Sequence, residues 1–103
     1  MPETEVPQMS ATEALILRLI ITERGDSYGL DLVKRSDGEL KRGTVYVTLQ
    51  RMEEKGFITS RLETTIDPRL GQARRMYKAT GLGERALAAR DMVGRFVLAR
   101  GAS

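Results

Sequence analysis

The first strongly patterned stretch of the chain is Ala14-Leu15-Ile16-Leu17-Arg18-Leu19-Ile20-Ile21. A helix that faces a single core needs one apolar stripe. This stretch is apolar nearly all round, so one face can pack on its own domain and the other calls for cover, most economically from a partner chain. Ser10-Ala11-Thr12-Glu13 spells a capping box just ahead of it. The pattern predicts a helix from there to about Glu23 or Arg24, ended by Gly25. The nine residues before Ser10 contain Pro2 and Pro7 and no period, and read as a loose arm. A second, short helix is expected from Tyr28 to Ser36, capped by Asp26 or Ser27, with Tyr28, Leu32 and Val33 as its apolar side. Asp37-Gly38 is a turn signal, and Glu39-Leu40-Lys41 a brief extended link.

The next stretch, RGTVYVTLQRMEEKGFI (42–58), carries two conflicting signals. Thr44 to Thr48 is β-branched and aromatic, a strand composition. Leu49 to Lys55 is rich in helix formers and is closed by Gly56. Periodicity decides between them. Val45, Leu49, Met52 and Gly56 fall at i, i+4, i+7 and i+11, one continuous helical face, whereas the alternation of a strand stops at Leu49. One helix over about residues 43–55 is therefore expected.

Phe57 to Glu63 and Arg74 to Ala79 read as the two strands of a β-hairpin, with Asp67-Pro68-Arg69-Leu70-Gly71 at its tip. Thr80 is placed to cap a final helix running to about Arg100. In it Leu82, Ala86, Ala89, Val93 and Phe96 are spaced 4, 3, 4, 3, a seam suited to a partner helix. Gly83 and Gly94 weaken that helix, which points to support from the partner. Three regions follow: a flexible arm over 1–9, a folded domain over 10–79 and a dimerisation helix over 80–103.

Composition narrows the chemistry. The 103 residues include no cysteine and no histidine. Disulfides, zinc–thiolate sites and Cys nucleophiles are excluded, and the commonest general base is missing. No metal, cofactor or enzymatic activity is expected. The longest apolar run is too short to span a bilayer and the acidic N-terminus has no signal-peptide character, so a soluble, cytoplasmic protein without membrane contact is expected.

Charge adds a direction. The net +3 hides a partition: residues 1–13 carry net −3, residues 34–51 net +3, and residues 69–78 net +4. Basic patches of this kind attract phosphate backbones, because binding releases condensed counterions.

Three helices followed by a hairpin in one basic domain is the order of a winged helix-turn-helix, a mainly α (α+β) fold whose third helix enters the major groove. The resemblance becomes specific in an ordered set of motifs. These are Tyr28-Gly29, Gly43-Thr44-Val45-Tyr46 with Leu49, Met52-Glu53 with Gly56-Phe57-Ile58, Gly71-Gln72-Ala73-Arg74-Arg75-Met76-Tyr77, and Thr80 with Gly83. Over about residues 12–90 the chain resembles the PadR family of transcriptional regulators, in its short subgroup with one C-terminal helix. The resemblance implies a homodimer built by the last helix with help from the first, binding double-stranded DNA at an inverted repeat as a repressor. Two positions depart from the family: Lys41 stands where Ser is frequent, and Val47 where Pro is common. Both lie on the DNA-facing turn.

On this reading Arg42, Thr44, Val47, Thr48 and Arg51 lie away from the core face and meet bases or phosphates. Tyr46 sits at the edge of that face, with its hydroxyl in reach of a phosphate, and Lys41 meets phosphate. Tyr28 is read as structural. Arg69, Arg74 and Arg75 are the wing candidates; alternation places the last two on opposite faces, and Arg75 could instead pair with a carboxylate at the wing base. Leu15, Leu19, Leu82, Ala86, Ala89, Val93 and Phe96 are the dimer-interface candidates. A small apolar effector has room in such a dimer but no support, since the chain has no Trp and 5% aromatic residues. The alternative function is a winged-helix module that binds a protein partner without reading DNA.

Overall fold

The computed structural model describes residues 8–23, 27–63 and 74–101, and side chains as far as residue 94. Helix α1 (Ala11–Thr22) begins as its capping box dictates. The Glu13 amide donates to Ser10 Oγ (3.1 Å) and the Ser10 amide to Glu13 Oε1 (2.8 Å). Ala14, Ile16, Leu17 and Ile20 face inward, while Leu15 and Leu19 are half-buried on the flank. The expected stop at Gly25 lies outside the described residues.

The next element corrects the sequence reading. Ser27–Tyr28 form a short strand, β1, rather than a cap and first turn. Helix α2 runs only over Gly29–Arg35, with Tyr28 at its N-cap and no side-chain cap. The strand exists because the edge of the later hairpin offers unpaired backbone groups: Ser27 pairs with Tyr77 and Tyr28 with Met76. Two residues carry no readable period, so no local pattern could announce it. Asp37 (φ 54°) and Gly38 (φ 89°) then turn the chain in left-handed conformations. Leu40 is buried in the link, its amide donating to Ser36 Oγ (3.0 Å).

Helix α3 spans Arg42–Glu54, so the ambiguous stretch is one helix. It closes with Gly56 at φ 84°. The Phe57 amide donates to the Met52 carbonyl (2.9 Å) and the Gly56 amide to that of Glu53 (3.0 Å), the pairing that satisfies a helix's last carbonyls. Strands β2 (Ile58–Glu63) and β3 (Arg74–Ala79) pair antiparallel from Ile58–Ala79 out to Glu63–Arg74, giving a sheet of order β1-β3-β2. Helix α4 (Gly81–Gly101) is capped by Thr80, whose hydroxyl accepts from the Gly83 amide (3.0 Å) and donates to the Gly56 carbonyl (2.6 Å).

The helices and sheet enclose one core. Ile16, Leu17, Ile20, Leu32, Leu49, Met52, Phe57 and Ile58 are all but inaccessible to solvent. Burial of a side chain of this size stabilises by about 1.5–3 kcal/mol. Among the described residues, no helix is long and apolar enough to cross a membrane.

Candidate nucleic-acid interface

The core face of α3 fixes what its other face presents. Val45, Leu49 and Met52 are fully buried, which leaves Arg42, Thr44, Val47 and Arg51 exposed on the opposite side. Val47 is 59% exposed, an apolar side chain that the fold does not use. Neither Arg42 nor Arg51 makes an ion pair among the described residues. Lys41 is exposed at the N-cap, where it supplies no side-chain cap, and the first turn holds no acid.

Thr48 departs from the expected outward position: only 6% of it is exposed. It lies three residues beyond Val45, and a core stripe about 100° wide takes in i+3 as well as i+4. Its neighbourhood is an open cleft of about 530 Å³ between the start of α1 and α3. Ser10 and Thr12 line one wall, and Gly43, Thr44, Val47, Thr48 and Arg51 the other. Sequence reasoning assigned Ser10 only as a cap and gave Thr12 no role. Nothing local reveals that both border α3.

Tyr46 is 42% exposed and lies against the start of α2. A methyl group at Gly29 would stand 2.6–2.8 Å from its ring and hydroxyl. The Tyr28-Gly29 and Gly43-Thr44-Val45-Tyr46 motifs are thus two sides of one contact. Tyr28, half-buried, carries the Arg74 guanidinium over its ring at 4.5 Å. This cation–π stack ties β3 of the wing to the beginning of α2. Sequence reasoning missed it, since the two residues are far apart along the chain.

Arg75 points to the other side of β3 from Arg74, as alternation requires. It donates to Ser60 Oγ (3.0 Å), and that hydroxyl donates to Glu53 Oε2 (2.8 Å). The carboxylate at the wing base is therefore reached through Ser60, and it belongs to the last turn of α3. Arg69, and the Gly71-Gln72-Ala73 part of the wing motif, lie outside the described residues.

Behind the interface, buried polar contacts hold α3 in place. Glu13 is inaccessible to solvent, and Lys55 Nζ, at the end of α3, donates to its Oε1 (2.9 Å) and to the Gln8 carbonyl (2.8 Å). Burial pushes the Glu13 pKa up, but the Ser10 amide and Lys55 together outweigh it, so the carboxyl titrates below its ordinary value. Arg35 bridges α2 to α1, donating to Asp31 (2.9 Å), to Ser27 Oγ (3.4 Å) and to the Leu19 carbonyl.

The proposed dimer seam divides along α4. Ala86 is 6% exposed and so serves the chain's own fold, correcting the expectation that it faces a partner, while Leu82, like Leu15 and Leu19, is partly buried against the same core. Ala89 and Val93 are exposed, and Met92, which the heptad reading passed over, is 69% exposed. The Phe96 side chain lies outside the description. A bidentate Arg18–Asp91 pair joins α1 to α4 beside this surface.

Comparison with known proteins agrees with this geometry. The model of the transcriptional regulator PadR-like family matches residues 16–89. A PadR family transcription regulator from hypervirulent Clostridium difficile R20291 is 34% identical, with 82% of this chain and 88% of that chain covered, at TM-score 0.64. A PadR family transcriptional regulator from Eggerthella lenta DSM 2243 shares the fold at TM-score 0.68 and 24% identity, over 88% of this chain and 80% of that one. Bacillus subtilis PadR, crystallised in complex with operator DNA, shares it at TM-score 0.67 and 23% identity. That match covers 78% of this chain and 46% of PadR, so the chain spans about half the length of that relative. No curated protein sequence matches the chain. A family model that runs from the middle of α1 into α4, and so covers most of the chain, means that this chain belongs to the PadR-like family of transcriptional regulators.

Proposed function

We propose that the chain is a homodimeric, sequence-specific DNA-binding repressor. The observation that carries this reading is the exposed strip of α3, where Arg42, Thr44, Val47 and Arg51 stand free of the core. Arg42 there can take guanine O6 and N7, and Val47 or Thr44 can meet a thymine methyl; each good bidentate pair discriminates by about 1–3 kcal/mol. Lys41, Tyr46 and Arg74 flank the strip and are assigned to phosphates, and Arg75 braces the wing through Ser60. The operator DNA bound by Bacillus subtilis PadR supports carrying this role to a chain of the same fold.

The dimer rests on the exposed apolar residues Met92 and Val93 of α4, with Leu15 and Leu19 on the neighbouring flank of α1. Two copies of α3 related by a two-fold axis would enter successive major grooves about 34 Å apart and so read an inverted repeat. Occupancy of a promoter then blocks transcription. The test is fluorescence anisotropy on DNA upstream of the chain's own gene and on a scrambled duplex, across a salt series. Preference for one upstream site, lost on charge reversal at Arg42 and Arg51, is expected. Equal binding to both duplexes at every salt concentration would overturn sequence-specific regulation.

A further inference from the structure

We propose that the cleft between α1 and α3 seats a phosphodiester group of the DNA strand that borders the groove α3 enters, with Thr12 and Arg51 as its ligands and Ser10 at the rim. The proposal rests on the DNA reading above and adds α1 to the contact surface.

Position comes first. One wall of the cleft is the edge of the base-reading strip, since Thr44 and Val47 line it beside Arg51. Whatever approaches that strip also meets Ser10 and Thr12 on the facing wall. A major groove is about 12 Å wide with a backbone along each edge. On one flank of α3, Tyr46, Tyr28 and Arg74 stand ready for one backbone. On the other flank, the start of α1 is what borders the strip.

Chemistry selects the ligand. Among the described residues the cleft presents hydroxyls, one guanidinium and the Val47 side chain, and no carboxylate lines it. Glu13, next to Thr12 in sequence, is buried and held through Oε1 by the Ser10 amide and Lys55, so its charge is countered by a cation and is not presented at the cleft. The Ser10 hydroxyl accepts from the Glu13 amide and keeps its own proton to donate. Arg51 has no ion-pair partner among the described residues. An arginine flanked by hydroxyl donors matches a singly charged, oxygen-rich group, whereas an apolar effector would leave these donors without partners.

The test uses the full chain with the two duplexes above and the variants Thr12→Ala, Thr12→Glu, Arg51→Gln and the Thr12→Ala/Arg51→Gln double. An acid in the first turn of a helix is favourable, so Thr12→Glu is expected to fold, which circular dichroism checks. Thr12→Ala should weaken binding roughly three- to ten-fold, by the same factor on both duplexes, because a phosphate contact carries no sequence information. Thr12→Glu should weaken it further. Arg51→Gln should flatten the salt dependence by about 0.9 in log–log slope per subunit. The double variant should lose less than the product of the two single losses, since both residues serve one phosphate.

Wild-type affinity in both Thr12 variants, with the parent binding normally, would overturn the proposal and leave the DNA reading standing. A Thr12 effect confined to one duplex would overturn it in favour of base readout. Inorganic phosphate alone, at matched ionic strength, separates the remaining source. Thr12-dependent thermal protection by it, without any Thr12 effect on DNA affinity, would overturn it in favour of a free anion. A parent that binds neither duplex would remove the DNA reading and this proposal with it.

Discussion

Gly83→Ala and Gly94→Ala make the same chemical change in the same helix, and the structure requires them to act with opposite signs. Helix propensity favours alanine over glycine by about 1 kcal/mol at both positions. At Gly94 a new methyl group meets nothing within 4 Å, so that gain is free. At Gly83 it would lie 3.0 Å from the carbonyl carbon of Phe57 and 3.1 Å from its Cα, with the carbonyl oxygen nearer still. Ordinary contacts between carbon atoms fall near 3.5–4.0 Å. The obstacle is backbone, pinned by the Thr80 amide bonded to that same carbonyl (3.0 Å), so it cannot swing aside as a side chain would. Helix α4 must move out by roughly 0.5–1 Å, a strain typical of overpacking at about 1–3 kcal/mol. The shift also loosens the Thr80 cap, worth about 1 kcal/mol. Setting the propensity gain against these costs leaves Gly83→Ala destabilised by about 1–3 kcal/mol and Gly94→Ala stabilised by up to about 1 kcal/mol. Urea unfolding followed by circular dichroism, at one fixed protein concentration because the proposed dimerisation would couple to stability, reads both. At an m-value of about 1.5 kcal/mol/M the Gly83→Ala midpoint should fall by roughly 1 M. A midpoint equal to or above that of the parent would refute the close approach of α4 to Phe57.

Other outcomes follow from the same contacts. Gly29→Ala meets only the far end of the Tyr46 ring, which can swing into solvent, so stability should change by less than about 1 kcal/mol while DNA affinity drops; a large stability loss with unchanged affinity would contradict the placement of Tyr46. Glu13 has its folded pKa held below the ordinary 4.5, so its contribution to stability is present above that value and lost as pH falls through the lower, folded one. The urea midpoint of Glu13→Gln should therefore trail that of the parent at neutral pH and approach it in acid; a gap that stays constant with pH would exclude an ionised Glu13–Lys55 contact. Val93→Glu should convert a dimer of twice 11.5 kDa into a monomer by light scattering at micromolar concentration, with helicity retained. A parent that is already monomeric there would remove the basis for the α4 interface.

Periodic and capping signals were legible in the sequence because they are local. The Ser10–Glu13 box gives the first helix its start, Gly56 gives the third its stop, and the Val45, Leu49, Met52 face settles a helix against a strand-like composition. The hairpin strands followed from the same kind of reading. Features created by tertiary pairing were not legible. Strand β1 exists only because β3 offers it an edge, and Arg74 finds Tyr28 only once that pairing is made. Gly83 shows a local rule giving an incomplete answer. Propensity marks it as a weakness in α4, whereas the fold uses the absence of a side chain there to bring α4 close to the Phe57 backbone. Thr48 and Ala86 show the same limit on the site, since each lies on a helix edge whose exposure depends on what the neighbouring elements cover.

The starts of α1 and α3 are built in contrary ways, and the contrast bears on function. Helix α1 has a reciprocal side-chain cap and an acid in its first turn. Helix α3 has neither: Lys41 stands at the N-cap, no acid follows, and Thr44 to Thr48 are residues of below-average helix propensity. Relative to alanine, five such residues cost α3 roughly 2–3 kcal/mol. The buried Val45, Leu49 and Met52 offset that cost, since packing rather than propensity carries most helix stability in proteins. What remains is a helix whose first amides at Arg42, Gly43 and Thr44 lack intrahelical acceptors by geometry and whose nearest side chains are cations. Such an end is poorly satisfied by its own chain and well matched to an external anion. Helix α2 also starts without a side-chain cap but carries Asp31 in its first turn; among the described helices α3 is the one with neither cap nor acid, consistent with a surface whose missing acceptor arrives with DNA.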